Sequence, residues 1–176
     1  TFVIAAAVGE AAAVRIAYHV GTGNVSLIQW NAKAAFVLGS IVMLFSATLL
    51  WQIPEHIVGW FIDVNDPRNT LTFEIAITLT SIAAVFQFFD GVQVVAAWAL
   101  RGLKDTFVPM WIASMGYWLF GLGGGYLAGF VFGYGAEGIW WGMAIGLTTT
   151  AIMLSYRLYR LMRAERLRAR MAAGIA

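Results

Sequence analysis

Cysteine is absent from this chain of 176 residues, and proline and histidine are rare, with three and two copies. Without thiols the chain can form no disulfide, no thiolate zinc site and no cysteine-ligated Fe–S cluster. Charged residues are also scarce, at 11% of the sequence against about 25% in an ordinary soluble domain. Hydrophobic residues make up 61%, and the mean hydropathy is +0.78. This composition predicts an all-α membrane protein.

The sequence motifs of soluble enzymes are missing as well. There is no phosphate-binding loop, no H-E-x-x-H zinc motif and no G-x-S-x-G nucleophile motif. The stretch "GLGGGYLAG" has the glycine spacing of a dinucleotide site, but it lies inside an apolar segment and follows no strand. We therefore expect neither an enzyme nor a bound cofactor.

Five segments are predicted to cross the membrane, because each offers about 20 residues of mostly apolar helix. They are residues 1–20, 34–52, 71–100, 108–132 and 138–156. The first carries Glu10, Arg15 and His19, so it is a poor lipid-facing helix and has to be covered by protein. No role is assigned to these three residues.

Charge is distributed unevenly between the connections and predicts the orientation in the membrane. Six arginines lie in the tail, residues 157–176, and further basic residues are Lys33, Arg101 and Lys104. The other two connections hold four acids and one base: Glu55, Asp63, Asp66, Glu137 and Arg68. Basic loops favour the cytoplasmic side, which predicts a cytoplasmic C-terminal tail attracted to anionic membrane lipids. We do not expect this tail to bind nucleic acid.

Two further patterns concern packing. After Pro54, apolar residues recur at helical spacing up to Phe61, which predicts a short amphipathic helix at the outer membrane surface. Glycines recur every four residues in 121–133 and again in 138–146. Such spacing lets helix backbones approach closely, and smooth faces of this kind also suit helices that slide during a transport cycle.

Asp90 is the candidate functional residue. Its nearest charged neighbours in the sequence are Glu74 and Arg101, which places Asp90 near the bilayer midplane. A central aspartate costs about 2.5 to 3.5 kcal/mol to insert, so such residues face a bundle interior or a water-filled cavity. Gln87 and Gln93 flank it at i−3 and i+3 and share its face. A carboxylate in this setting is suited to exchange a proton or Na⁺ for a substrate.

The stretch around this aspartate, "FQFFDGVQVVAAWALRGLKDTFVPM", resembles the second half of multidrug and toxic compound extrusion (MATE) transporters of the bacterial NorM-like branch. The resemblance continues through "YWLFGLGGGYLAGFVFGYGAEGIWWGMAIGL" and includes the earlier "AAAVRIAYHVGTGN" and "IPEHIVGWFIDVNDP". It therefore covers nearly the whole chain, in the order expected for the family.

This resemblance implies most of the C-terminal six-helix lobe of a twelve-helix antiporter in the bacterial inner membrane. Such a protein exports cationic amphipathic compounds in exchange for Na⁺ or H⁺, and its missing N-terminal lobe would be a partner of this chain. The family's tenth-helix acid contributes to cation binding, and that role carries over to Asp90, as the Na⁺ ligand if the coupling ion is Na⁺. Phe86, Gln87, Gln93 and Tyr117 are then candidates for lining the cavity.

Two departures from the family pattern matter. Phe86 stands where some members have tyrosine, and Gly123 stands where many have proline. Two other functions stay open: a lipid-linked oligosaccharide flippase of the same superfamily, and a membrane assembly module that transports nothing. A flippase is expected to carry more basic residues in its cavity, to neutralise pyrophosphate, whereas the mid-membrane charge here is negative.

Overall fold

Long helices that reverse direction from one to the next along the chain account for most of the architecture. A computed structural model describes residues 2–63 and 66–174, and seven helices are numbered here in chain order. They are α1 (Phe2–Gly21), α2 (Val25–Gln52), α3 (Pro54–Gly59), α4 (Thr70–Gly102), α5 (107–131), α6 (Gly135–Leu161) and α7 (Ala164–Ala172). Thr1, part of the first predicted span, lies outside the described residues. The helices support the all-α prediction.

Four helical stretches in the described part of the chain are long and apolar enough to cross a membrane: Phe2–Gly21, Val25–Gln52, Pro67–Gly102 and Gly135–Leu161. They correspond to four of the five predicted spans. The fifth, α5, is helical throughout but irregular. Its α-helical parts, Phe107–Ser114 and Gly124–Tyr126, alternate with the π-helical Met115–Gly123 and Leu127–Val131. Glycine, which is frequent here, has a low helix propensity.

The helix that contains the second predicted span, residues 34–52, begins earlier, at Val25. Asn24 caps the helix, since its side chain accepts a hydrogen bond from the Leu27 amide. Ile28 and Ala32 then pack into the core. Of the polar residues that suggested a loop, Ser26 and Lys33 are exposed.

Helix α6 continues to Leu161 and so includes the first residues of the tail predicted from residue 157. Arg157 stays helical and forms a salt bridge with Asp105, while the Arg160 guanidinium lies over the Tyr156 ring at 5.6 Å. The separate tail helix is α7, whose Leu167 is fully buried in the main apolar core. The last two residues of the predicted tail lie outside the described part of the chain.

Helix α4 lies at the centre and contacts α1, α2 and α6. The main core forms at the end of the bundle where Ile16, Ile28, Leu103 and Leu158 meet. The same end carries Arg101 and the arginines of α6 and α7, and we name it the arginine end. Glu55 and Glu137 lie at the opposite end of the helices.

Glycines bring α5 and α6 together, as their spacing predicted. A Cβ added to Gly146 would lie 2.6 Å from the Gly121 Cα, and one added to Gly138 would lie 2.7 Å from the Ala128 carbonyl carbon. Gly142 directly faces the Gly125 backbone. Gly133 does not belong to this contact: at φ +78° it ends α5, where nothing lies within 4 Å of an added Cβ.

The predicted surface helix after Pro54 is shorter than its apolar pattern suggested. It ends at Gly59, with Pro54 in its first turn and Val58 buried. Trp60 and Phe61 follow in a turn and are 80% and 83% exposed. On α1, Glu10 and Arg15 are exposed, so the described part of this chain does not provide the cover that these charges were predicted to need.

Candidate functional site

Asp90 and Gln93 form the centre of the site on α4. The Asp90 side chain is half-buried, and Gln93, one turn later, is only 3% exposed. Gln93 Nε2 donates to Asp90 Oδ1 at 3.1 Å. This is the i+3 contact that the sequence predicted, since residues three apart lie on the same side of a helix.

Tyr117 joins this pair from α5. Its hydroxyl oxygen accepts a second hydrogen bond from Gln93 Nε2, at 2.5 Å. Gln93 therefore links the carboxylate on α4 to the phenol on α5. We name these three side chains, Asp90, Gln93 and Tyr117, the polar patch. The structure thus brings three of the five candidate residues together.

The side-chain carbonyl oxygen of Gln93 is buried and has no hydrogen-bond partner among the residues that the structure describes. Buried polar atoms are nearly always hydrogen-bonded, so an orphaned acceptor needs a reason. The polar patch offers a carboxylate, this carbonyl oxygen and a phenolic oxygen. Oxygen donors of this kind are the ligands that hard cations prefer, and the three residues are chemically suited to hold a single small cation or a proton.

The side chains of Gln87 and Phe86 contact other helices. Gln87 Nε2 donates to the buried Ser46 hydroxyl on α2 at 3.4 Å. The Phe86 ring stacks on Trp140 of α6, with centroids 5.5 Å apart and planes at 29°. The hydrogen bond from Gln87 to Ser46 links α4 to α2, and the aromatic border of the site includes Trp140, which sequence spacing did not indicate.

A cavity of about 320 Å³ runs between α4 and α5 from the polar patch towards the arginine end. Gln93 and Tyr117 line one part of it, and Arg101 and Asp105 line another. Asp90 is not among its lining residues, whereas its hydrogen-bond partner Gln93 is. Arg157 fixes Asp105 from α6 with two hydrogen bonds, of 2.6 and 2.9 Å.

Carboxylates do not cluster in the described part of the chain, where no three His, Cys, Asp or Glu residues come close enough together to hold a metal ion. Asp90 is accordingly a single negative group among neutral oxygens. Such a site suits a monovalent ion or a proton better than a tightly held divalent metal, which usually takes one or more further carboxylates.

Comparison with known proteins gives the same picture as the helices. A family model described as MatE matches residues 1–127. The multidrug resistance protein NorM of Burkholderia vietnamiensis is 41% identical over 158 residues, which is 90% of this chain and 34% of the relative. The probable multidrug resistance protein NorM of Brucella suis is 39% identical over 157 residues, 89% of this chain and 33% of the relative. The chain thus spans about a third of the length of these relatives.

A solved structure supports the fold. The eukaryotic MATE transporter AtDTX14 superposes with a TM-score of 0.79 over 95% of this chain and 37% of its own, at 19% sequence identity. The helix arrangement is therefore that of a MATE transporter lobe. With the family model covering well over half of its residues, this chain belongs to the MatE family.

Proposed function

We propose that this chain is the C-terminal part of a cation-coupled multidrug efflux antiporter that exports cationic amphipathic compounds from a bacterial cell. The observation that carries the proposal is the polar patch: a half-buried carboxylate, linked by a buried glutamine to a phenol on the next helix. An ionisable group inside the membrane costs free energy to insert, and such groups are usually present because they take part in function. The similarity to relatives named multidrug resistance protein NorM supports a role in multidrug resistance.

Coupling requires a group that binds a cation and releases it when substrate binds. Asp90 supplies the negative charge, and the orphaned Gln93 carbonyl oxygen and the Tyr117 hydroxyl supply neutral oxygens beside it. If Na⁺ is the coupling ion, these three residues are its ligands in our proposal. If H⁺ is the coupling ion, Asp90 alone takes it, and Gln93 holds the carboxylate in place.

The two alternative functions are less well supported. A pyrophosphate-carrying lipid would meet the Asp90 carboxylate in the polar patch, and like charges repel. A pure packing role for Asp90 does not explain why the Gln93 side-chain oxygen is buried with no partner in the described part of the chain. The exposed Glu10 and Arg15 on α1 fit a larger protein in which a second lobe covers this face.

The decisive experiment measures efflux of a fluorescent cationic dye from cells that express the full-length protein. Asp90→Asn is compared with wild type and with Glu74→Gln, a matched amide substitution on the exposed first turns of α4. We expect Asp90→Asn to abolish cation-driven efflux at unchanged membrane abundance, while Glu74→Gln pumps normally. Normal efflux by Asp90→Asn would make the carboxylate structural and refute its role in coupling.

Two additional measurements separate the alternatives. Imposing a Na⁺ gradient or a pH gradient on vesicles identifies the coupling ion, since only the true one drives dye movement. Modification of Asp90 by a carbodiimide, with and without dye, tests the non-transporting module: an acid buried only for packing does not change reactivity when dye is added.

We also propose that the arginine end faces the cytoplasm. The chain has no cysteine, so single cysteines at Arg168 and Glu137 can be compared in the full-length protein with any other cysteines replaced. A membrane-impermeant maleimide added to intact cells should label Glu137→Cys and leave Arg168→Cys unlabelled. The opposite pattern would reverse the proposed orientation.

A further inference from the structure

A second cavity, of about 380 Å³, lies at the arginine end between α5, α6 and the tail helix α7. It is separate from the cavity beside the polar patch, because none of the residues that line one also lines the other. Three arginines reach it: Arg157 and Arg160 from α6, and Arg166 from α7. We name this space the arginine cavity.

Two of these three positive charges have no acidic partner among the side chains that the structure describes. Arg157 is neutralised by Asp105, with Nε and Oδ2 2.6 Å apart. Neither Arg160 nor Arg166 forms an ion pair with any side chain that the structure describes. Arg160 instead lies over the Tyr156 ring, an arrangement that leaves guanidinium N–H groups able to donate at their edge. The cavity therefore presents about two uncompensated positive charges.

The remaining wall is apolar and reaches the outside of the bundle. Ile112, Met153 and Leu161 line the same space. Met153 is 44% exposed, on a surface of α6 that faces lipid if the helix crosses the membrane. A small inorganic anion makes no favourable contact with an apolar wall, whereas the glycerol and acyl groups next to a lipid phosphate can pack against it. The cavity thus places its cationic groups beside its apolar wall, as a phospholipid places its anionic phosphate beside its glycerol and acyl chains.

Helix α7 fixes one side of the cavity. Leu167, adjacent to Arg166, is fully buried in the main core, and Gln29 of α2 donates to the Met162 carbonyl oxygen at 2.6 Å just before the helix begins. Arg166 is therefore presented by a docked helix, not by a loose tail.

We propose that the arginine cavity is a binding site for the phosphate group of an anionic phospholipid. Arg160 and Arg166 donate hydrogen bonds to the phosphate oxygens, a pairing that the planar guanidinium favours. Ile112, Met153 and Leu161 contact the glycerol and the upper acyl chain. The lipid bridges α6 and α7 and holds the tail helix against the bundle. This site does not depend on the transport proposal, since neither the polar patch nor a transport cycle takes part in it.

Native mass spectrometry of the full-length protein from nanodiscs tests the site, with phosphatidylglycerol and phosphatidylcholine as the lipids. The double variant Arg160→Gln/Arg166→Gln is compared with Arg163→Gln/Arg168→Gln, which removes two charges from the same segment but from outside the cavity. We expect the first variant to weaken retention of phosphatidylglycerol about 25-fold. About fivefold per arginine corresponds to roughly 1 kcal/mol for each lost hydrogen bond to the phosphate, a contact that the arginines of the second variant do not make. The second variant should change it less than threefold.

Four results would overturn the proposal: an equal loss in both variants, which would mean diffuse attraction; no loss in the cavity variant; equal retention of phosphatidylcholine; or displacement of the lipid by inorganic phosphate at equal concentration, which would make free phosphate the ligand. Should the glutamine variant fail to fold, Arg160→Lys/Arg166→Lys keeps the charge and loses the planar fork. Weaker retention by this lysine variant, at unchanged thermal stability, supports the site, and unchanged retention contradicts it.

Discussion

Arg157 on α6 forms a two-point salt bridge with Asp105, a residue that follows α4 and lies 52 positions earlier in the chain. Asp105 is 7% exposed. The pair joins the turn between α4 and α5 to the last turns of α6, next to the main apolar core. Asp105 lines the arginine end of the cavity that begins at the polar patch. Arg157 lines the second cavity, whose other two arginines, Arg160 and Arg166, form no ion pair with any side chain that the structure describes.

Removing one partner of this pair should destabilise the protein strongly. Asp105→Asn leaves a partly buried guanidinium without its anion, and Arg157→Gln leaves a buried carboxylate without its cation. Breaking a buried pair in this way costs about 3 to 5 kcal/mol. The measurement is thermal unfolding of the purified full-length protein in detergent, where each single variant should melt well below wild type.

The double variant Asp105→Asn/Arg157→Gln is the control for this prediction. Because the two side chains act on each other, its destabilisation should be clearly smaller than the sum of the two single effects. Additive effects would mean that the two residues contribute independently and that the contact is of little energetic importance.

The glycine contact between α5 and α6 gives a second stability prediction. Gly142→Ala places a methyl group against the Gly125 backbone, and backbone cannot move aside as a flexible side chain can. Overpacking of this kind costs about 1 to 3 kcal/mol. Gly124→Ala makes the same chemical change on the facing helix where nothing lies within 4 Å, and it should leave the melting temperature unchanged or slightly raised. Equal melting temperatures for the two variants would contradict a tight contact.

Much of the fold was predictable because each membrane-spanning helix must by itself be long enough and apolar enough to cross the bilayer, and both properties can be read from the sequence. The Asp90–Gln93 contact was predictable for a similar reason, since it is local to one helix. The partners from other helices were not: Tyr117 lies 24 residues after Gln93, and Ser46 lies 41 residues before Gln87. The spacing of residues along a helix shows on which face of that helix each residue lies, but not which other helix packs against that face.

The helix ends that differ from the ends of the predicted segments also have physical causes. The first turns of α2 carry polar side chains that resemble a loop, yet their buried face packs into the core and Asn24 caps them. Arg157 was assigned to a surface tail because it begins a run of arginines. Its partner Asp105 lies in another connection, and the charge pattern of neither segment alone reveals the pair.

Docking of the tail helix leads to a third prediction. Leu167 is the buried anchor of α7, and its replacement by alanine leaves a cavity that costs about 2 to 5 kcal/mol. The remaining contacts of this short helix are few, so α7 should detach. Limited trypsin digestion of the full-length protein should then cut after Arg166 or Arg168 much faster than in wild type. Ala169→Ser, on the exposed side of the same helix, is the control, and equal cleavage rates for the two variants would refute the anchoring role.

The last prediction concerns Gln93 and depends on the proposed transport function. Gln93→Leu keeps a side chain of similar size but removes both the hydrogen bond to Asp90 and the carbonyl oxygen that we propose as a ligand. A hydrogen bond to a charged group contributes about 1.5 to 3 kcal/mol, so the concentration of coupling ion needed for half-maximal dye efflux should rise about tenfold or more. Thr149→Val, a polar-to-apolar change at an exposed position on α6, should leave that concentration unchanged. If Gln93→Leu lowers the maximal rate but keeps the same ion dependence, Gln93 only packs the two helices together, and ion binding has to rest on Asp90 with ligands from another part of the protein.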